Sequence, residues 1–247
     1  MPAISIETQD NIVTIRLTNG VTNAISPEMV SELDAALTET AIAAHGVVIA
    51  GGEKFFSMGF DLPRLIDMDR TGIGAFFTAF NDMLLRLFTL PVPTACAMTG
   101  HAVAGGYIIA LGADVRIAAP KVKLGLNEIK LGLPVPYLAD MILRLAAPDR
   151  VATEVLYLGN FMAAAEAAPL GLVDAVVSKE TVETEAMNRI SALTANSGPA
   201  FATMKAARNE TVCRRYAQNG KAMADRWLDC WFSAPAQSLM RAAAEKF

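Results

Sequence analysis

The sequence predicts an α/β protein in which strands and helices alternate before a helical tail. Three observations carry that expectation: short apolar runs such as Val47-Val48-Ile49-Ala50 that suit strands buried on both faces, helical patterns between them, and the fading of strand signals after about Glu180.

The elements follow in order. Ile4 and Ile6, then Val13, Ile15 and Leu17 against Ile12, Thr14 and Arg16, alternate as paired strands with a turn at Gln9-Asp10-Asn11. Ser26, Pro27 and Glu28 open a helix with a hydroxyl cap, a proline at the first helical position and an acid in the first turn. Met29, Val30, Leu33 and Leu37 then share its apolar face. The strand Val47–Ala50 ends in Gly51-Gly52. Thr94 to Met98 reads as a strand, Tyr107 to Leu111 as a helix and Asp114 to Ala118 as another strand. A helix begins near Asp149 and stops at Gly159; a short helix from Ala163 to Ala168 precedes a strand from Leu172 to Val177. The division expected is a core of residues 1–185 that carries the site and a helical region of residues 186–247.

Composition narrows the function. Of 247 residues, 53% are hydrophobic and 19% charged, which describes a globular chain with a large core and excludes a disordered or collagen-like one. A formal charge of −4, with no run of Lys and Arg, lacks the electrostatic footprint of a nucleic-acid binder. Cys96, Cys213 and Cys230 are too few and too scattered for a disulfide framework or a CxxC motif. His45 and His101 have no paired ligand nearby, so no metal site is expected, and His101 reads as an ordinary loop or core histidine. No segment resembles a signal or transit peptide. The 27 residues from Leu87 to Ala113 carry no charge, yet Pro91, Pro93, Gly100, Gly105 and Gly106 interrupt them, so a buried strand, a turn and a buried helix explain them better than a membrane span. A soluble, cytoplasmic protein is expected.

Three segments could carry chemistry: Lys54 to Leu62, a glycine-bearing turn after a buried strand; Gly100 to Tyr107, a glycine loop entering an apolar helix; and Leu124 to Glu128, one carboxylate among apolar neighbours. Singly each is bland, since glycine turns are usually turns and a lone glutamate is usually a surface charge. Ser57 lacks a GxSxG elbow, and neither GxxxxGK[ST] nor GxGxxG is present. Jointly they have a chemical meaning. Gly105 at a helix start offers a backbone N–H in the field of the helix's positive end, with no side chain to obstruct an approaching oxygen. The turn before Gly59 offers a second N–H at Met58. Two such donors make an oxyanion hole, and a carboxylate in a dry pocket is a stronger base. Together they suit removal of a proton beside a thioester carbonyl.

The chain resembles the crotonase (enoyl-CoA hydratase/isomerase) superfamily from about Ile4 to the C-terminal helices. The matching features, in order, are Thr22-Asn23-Ala24-Ile25, Phe56-Ser57-Met58-Gly59-Phe60-Asp61-Leu62, Pro93-Thr94-Ala95, Gly100 to Gly106, Asp114 to Ala118, Glu166-Ala167 and Gly171-Leu172-Val173-Asp174. The resemblance implies a spiral of ββα units, helical C-terminal segments that pack subunits into a homotrimer or a dimer of trimers, and an acyl-CoA thioester substrate whose coenzyme A is no separate cofactor. It puts the oxyanion donors on the N–H groups of Met58 and Gly105, and coenzyme A against backbone around Asn23, Ala24 and Phe60-Asp61-Leu62.

Family hydratases use two glutamates. The later one corresponds to Glu128; the earlier one corresponds to Ile108, which transfers no proton. The stretches from Ala104 to Leu111 and Gly125 to Glu128, then Leu131-Gly132-Leu133 and Pro136-Tyr137, are similar to the mitochondrial-type Δ3-Δ2-enoyl-CoA isomerases, and Pro134-Val135-Pro136-Tyr137 replaces the Gly-Gly-Thr-like turn of hydratases. The resemblance therefore implies an isomerase with Glu128 as its single base, and an acyl pocket lined by Phe60, Leu62, Tyr107 and Tyr137. The alternatives are a hydratase or lyase that recruits another acid, such as Asp61 or Asp140, and a non-catalytic acyl-CoA-binding protein.

Overall fold

The structure, a computed structural model, describes residues 2–195 and 198–245. The expected tail end Lys246-Phe247 and positions 196–197 lie outside the described residues.

Two sheets organise the chain. The larger begins with a hairpin, β1 (Ile4–Gln9) and β2 (Ile12–Leu17), whose two turn residues Asp10 and Asn11 have φ of 51° and 61°, the left-handed values a two-residue hairpin turn needs. Side chains on β2 alternate between core and partial exposure, while β3 (Gly46–Ala50) is buried throughout. Between them runs α1 (Pro27–Ala43), where the Ser26 hydroxyl accepts from the Met29 N–H at 3.3 Å. β4 (Phe55–Ser57), α2 (Leu62–Leu65) and α3 (Arg70–Thr89) follow, and then β5 (Thr94–Met98), β6 (His101–Val103), α4 (Gly105–Gly112), β7 (Val115–Ala118) and β8 (Lys123–Gly125). After a 3-10 turn at Glu128–Leu131 come α5 (Tyr137–Ala146), α6 (Asp149–Leu158), β9 (Met162–Ala163), α7 (Ala164–Ala167) and β10 (Ala175–Val176). The tail is α8 (Val182–Thr194), α9 (Pro199–Trp231) and α10 (Ala234–Ala244).

The large sheet has the order β1-β2-β3-β5-β7-β10, parallel after the first hairpin. The small sheet is β4-β6-β8-β9, with its first three strands parallel. The α/β expectation holds. The strand expected from Leu172 to Val177 shrinks to two residues, because the Leu172 N–H bonds back to the Ala167 carbonyl at 3.2 Å and the Asp174 carboxylate, at 2.7 Å, takes the Arg116 N–H. The division at 185/186 falls inside α8, and that helix packs on β3 and β5 of the large sheet, so the tail begins as part of the core's own wall.

Buried polar contacts pin α9 to that core. The Lys205 Nζ donates to Asp114 Oδ2 at 2.6 Å and to the Val92 carbonyl at 3.3 Å, and the same carboxylate accepts from the Thr94 N–H and hydroxyl, both at 2.9 Å. The Asn209 amide donates to the Phe88 carbonyl at 2.8 Å. With its side chain only 4% exposed, Lys205 has little water to fall back on. Lys205→Met is expected to cost about 3 kcal/mol of unfolding free energy, as removing one partner of a buried pair does; a chemical denaturation midpoint unchanged from wild type would refute this anchoring role.

Candidate active site

The three parallel strands of the small sheet deliver three chain segments to one place. β4 leads into Met58, β6 into Gly105 and β8 into Glu128, each within three residues of its strand's end. Glycine permits the closeness. A methyl group on Gly106 would sit 2.4 Å from the Ser57 carbonyl oxygen, so β4's end and the start of α4 touch through backbone. Gly59, at φ +89°, brings its Cα face so near α4 that a side-chain carbon there would be 3.1 Å from the Gly105 nitrogen. Ala104, just before the helix, takes φ 49° and ψ −122°, a conformation that costs an alanine on the order of 1–3 kcal/mol.

Around this junction lies a cavity of about 390 Å³. Glu128 is on its wall, 7% exposed, and its Oε2 has no hydrogen-bond partner among the described residues. Among the described residues no cation pairs with it. Burial pushes its pKa up from 4.5 to about 7, and a hydrogen bond from its own backbone only partly offsets that. Gly105 lines the cavity, and among the described residues its N–H, in the first turn of α4, meets no acceptor. Ile108, one turn along α4, is also on the wall, where it presents hydrocarbon.

The expected positions divide. Met58, Gly105, Glu128, Phe60 and Leu62 line the cavity. The Met58 N–H, expected as an open donor, is engaged: it donates to the Thr22 carbonyl at 3.0 Å. The reason is a lacing of the two loops, in which the Ile25 N–H donates to Gly59 at 2.8 Å and the Asp61 N–H to Ile25 at 3.1 Å. That lacing turns Asn23 and Ala24 inward. Asn23 is 1% exposed and bonds the Phe55 carbonyl, and the Ala24 carbonyl accepts from Asn19 at 2.7 Å, so neither residue is on the cavity wall. Asp61 sits at the N-terminal end of α2 and is likewise off the wall.

Tyr107 is corrected outright. It points from α4 into the core, fully buried, and its hydroxyl donates to the Leu172 carbonyl at 2.8 Å. Tyr137 starts α5 beside the cavity, but Pro136 is the residue that lines it. Asp140 is held by Arg144 at 2.8 Å away from the cavity, which leaves Glu128 as the carboxylate on its wall.

Sequence reasoning passed over several lining residues. His101, read as an ordinary histidine, lines the cavity, and its Nδ1 accepts from the Lys123 N–H at 2.9 Å, which leaves Nε2 to carry the proton of the neutral ring. Burial, then Lys123 and Lys54, lower its pKa. Both tryptophans of the chain, Trp227 and Trp231, come from α9 to close the cavity, and Phe60 meets the Phe76 and Phe80 rings edge-on at 4.9 Å behind it. Their spacing of four along one helix was the available signal.

The buried carboxylate predicts a pH signature. Its folded pKa, about 7, lies above the ordinary 4.5, so its contribution to stability is complete below pH 4.5 and is lost as pH rises through 7. Glu128→Gln removes that titration. The variant is expected to match wild type near pH 4.5 and to exceed it by up to roughly 3 kcal/mol above pH 8, as read by denaturant unfolding across pH. Parallel curves for the two proteins would show the carboxylate to be solvated.

The enoyl-CoA hydratase/isomerase family model matches residues 7–238. A probable enoyl-CoA hydratase of Mycobacterium avium is 36% identical over 167 residues, covering 65% of this chain and 63% of that protein. Human mitochondrial enoyl-CoA delta isomerase 1 is 30% identical over 184 residues, covering 72% of this chain and 61% of the relative. Both matches thus span under two thirds of the relatives' length. Among solved structures, human mitochondrial Δ3-Δ2-enoyl-CoA isomerase superposes with a TM-score of 0.94 at 25% identity, covering 99% of this chain and 97% of the other. The fold, the junction of small-sheet strands and helix start, and the family match together make this chain a member of the enoyl-CoA hydratase/isomerase family, within the crotonase superfamily.

Proposed function

We propose that the protein is an acyl-CoA double-bond isomerase that converts 3-enoyl-CoA to 2-enoyl-CoA. The observation that carries this reading is the buried carboxylate of Glu128, solitary on the cavity wall and without a cation partner among the described residues, with Ile108 where hydration chemistry calls for a second acid. Hydrating a double bond requires activation of water and delivery of a proton to carbon. Moving one requires a single group that takes a proton and returns it.

The thioester oxygen accepts from the Gly105 N–H at the positive end of α4. The Met58 N–H joins it by sharing its bond to Thr22 with the oxygen as charge develops there. Ionised Glu128 takes a proton from the α carbon, the C–H electrons delocalise into a dienolate held at that oxygen, and protonated Glu128 delivers the proton to the γ carbon. The double bond ends in conjugation with the carbonyl and no atom is gained or lost. A pKa about 7 serves both halves of this exchange, since the base is ionised often enough to start and acidic enough to finish. The acyl chain lies against Phe60, Leu62, Leu131 and Leu133, and coenzyme A leaves toward the open side of the cavity.

Two outcomes follow. Incubation with a 3-enoyl-CoA is expected to generate the absorbance of a conjugated enoyl thioester, with kcat/KM rising through about pH 7 to a plateau. Glu128→Gln is expected to lower the rate about 10²–10⁴-fold. Consumption of 2-enoyl-CoA by water, with no isomerisation of the 3-enoyl substrate, would identify a hydratase instead; binding without either reaction would identify a carrier.

A further inference from the structure

We infer that Ala104 is a positioning residue, whose methyl group braces the Met58–Gly59 turn against the start of α4 so that the two backbone donors keep the spacing one oxygen needs. The inference deepens the isomerase reading, in which that oxygen is the thioester's, and rests on it.

Ala104 stands where a glycine would be at ease. Its φ of 49° and ψ of −122° belong to the first central position of a type II′ turn, where a β carbon is crowded. The other non-glycine residues at positive φ among the described residues are Asp10, Asn11 and Asn23, whose short polar side chains tolerate such backbone. An alanine has no such compensation. Strain of this kind persists only where the surroundings over-determine it, and it clusters at functional sites.

The surroundings here are the three segments from which the site is built. The Ala104 N–H donates to the carbonyl of Gly125, the last residue of β8, which leads to Glu128; the distance is 2.9 Å. Its own carbonyl accepts from the Ile108 N–H at 2.9 Å, a helical bond at the start of α4. Because the N–H and C=O of a trans peptide point opposite ways, that bond aims the Gly105 N–H out of the helix end. The methyl meets the third segment. A carbon placed on Gly59 would lie 3.0 Å from it, so the methyl covers the Cα that follows Met58. Ala104 is itself on the cavity wall. Both hydrogen bonds are made by backbone and a glycine would keep them; what the alanine alone supplies is the methyl between the two donor-bearing turns. A methyl that strains its own backbone at this junction acts on the geometry of the site rather than on the stability of the fold.

The test compares Ala104→Gly and Ala104→Ser with wild type in the full chain. Ala104→Gly relieves the strain, so its denaturation midpoint is expected at or above that of wild type. Its kcat on a 3-enoyl-CoA is expected to fall about 10- to 100-fold, with KM changed less than about twofold. Ala104→Ser, which keeps the β carbon, is expected to recover most of that loss. A merely structural methyl predicts the reverse, a lowered midpoint with kcat intact, and either half of that result overturns the proposal. A readout without turnover is the infrared band of a saturated acyl-CoA thioester labelled with carbon-13 at its carbonyl. Bound to wild type, the band is expected at lower frequency than in the free ligand, and Ala104→Gly is expected to lose much of that displacement. A wild-type band at the free position, or an equal displacement in both proteins, overturns the brace. Displacement in a wild type that isomerises nothing refutes the enzymatic reading alone; absence of any acyl-CoA binding refutes both.

Discussion

Everything at the site depends on one electrostatic constraint: a carboxylic acid kept out of water with no cation among the described residues to pair it. A salt bridge to Glu128 would stabilise its ionised form and cost it basicity. Solvent would do the same, and would also exchange its proton. The fold avoids both by setting Glu128 at the start of a short 3-10 turn and covering it with apolar side chains. An ionised Glu128 lowers stability, which is the usual sign of a group placed for chemistry rather than for holding the chain together.

The small sheet makes the constraint useful. Because β4, β6 and β8 are adjacent and parallel, their chains leave the sheet in one direction, and the groups that follow them converge however far apart they lie in sequence. Met58, Gly105 and Glu128 reach one cavity this way. The closeness needs Gly59 and Gly106, where a side chain would strike neighbouring backbone, and it puts Ala104 at positive φ immediately before the free Gly105 N–H. Strain beside a free backbone donor fixes that donor's direction before any ligand arrives.

The large sheet, the first helix and the tail were legible because each has a strong local signal. The hairpin turn, the Ser26 cap, the buried runs of β3 and β5 and the Gly159 stop were read where they stand. The small sheet gave no such signal, since strands of two or three residues are too short for any period to show. The start of α3 is hidden by Gly72 and Gly74 in its opening turn, although Ile73, Phe76, Phe77 and Phe80 mark its buried face. Tyr107 reads as a lining residue from its neighbours at 105 and 108, which do face the cavity, but a helix rotates by about 100° per residue, which sends position 107 elsewhere. The state of the Met58 N–H was beyond sequence: its acceptor on Thr22 lies 36 positions away and belongs to a loop with no regular structure.

The C-terminal helices complete the logic. A carboxylate on a shallow surface would stay hydrated, and the small sheet by itself offers only one face to the site. α9 supplies the opposite wall through Trp227 and Trp231, and α10 adds Ala243. The stacked rings of Phe77 and Trp227, 3.8 Å apart, carry that wall onto α3 and hence onto the core. The Lys205–Asp114 pair, two thirds of α9 away from the tryptophans, fixes the other end of the helix to the large sheet. The helix is therefore held at both ends, and the dryness that sets the basicity of Glu128 is a property of the whole chain, built from segments separated by 100 residues or more in sequence.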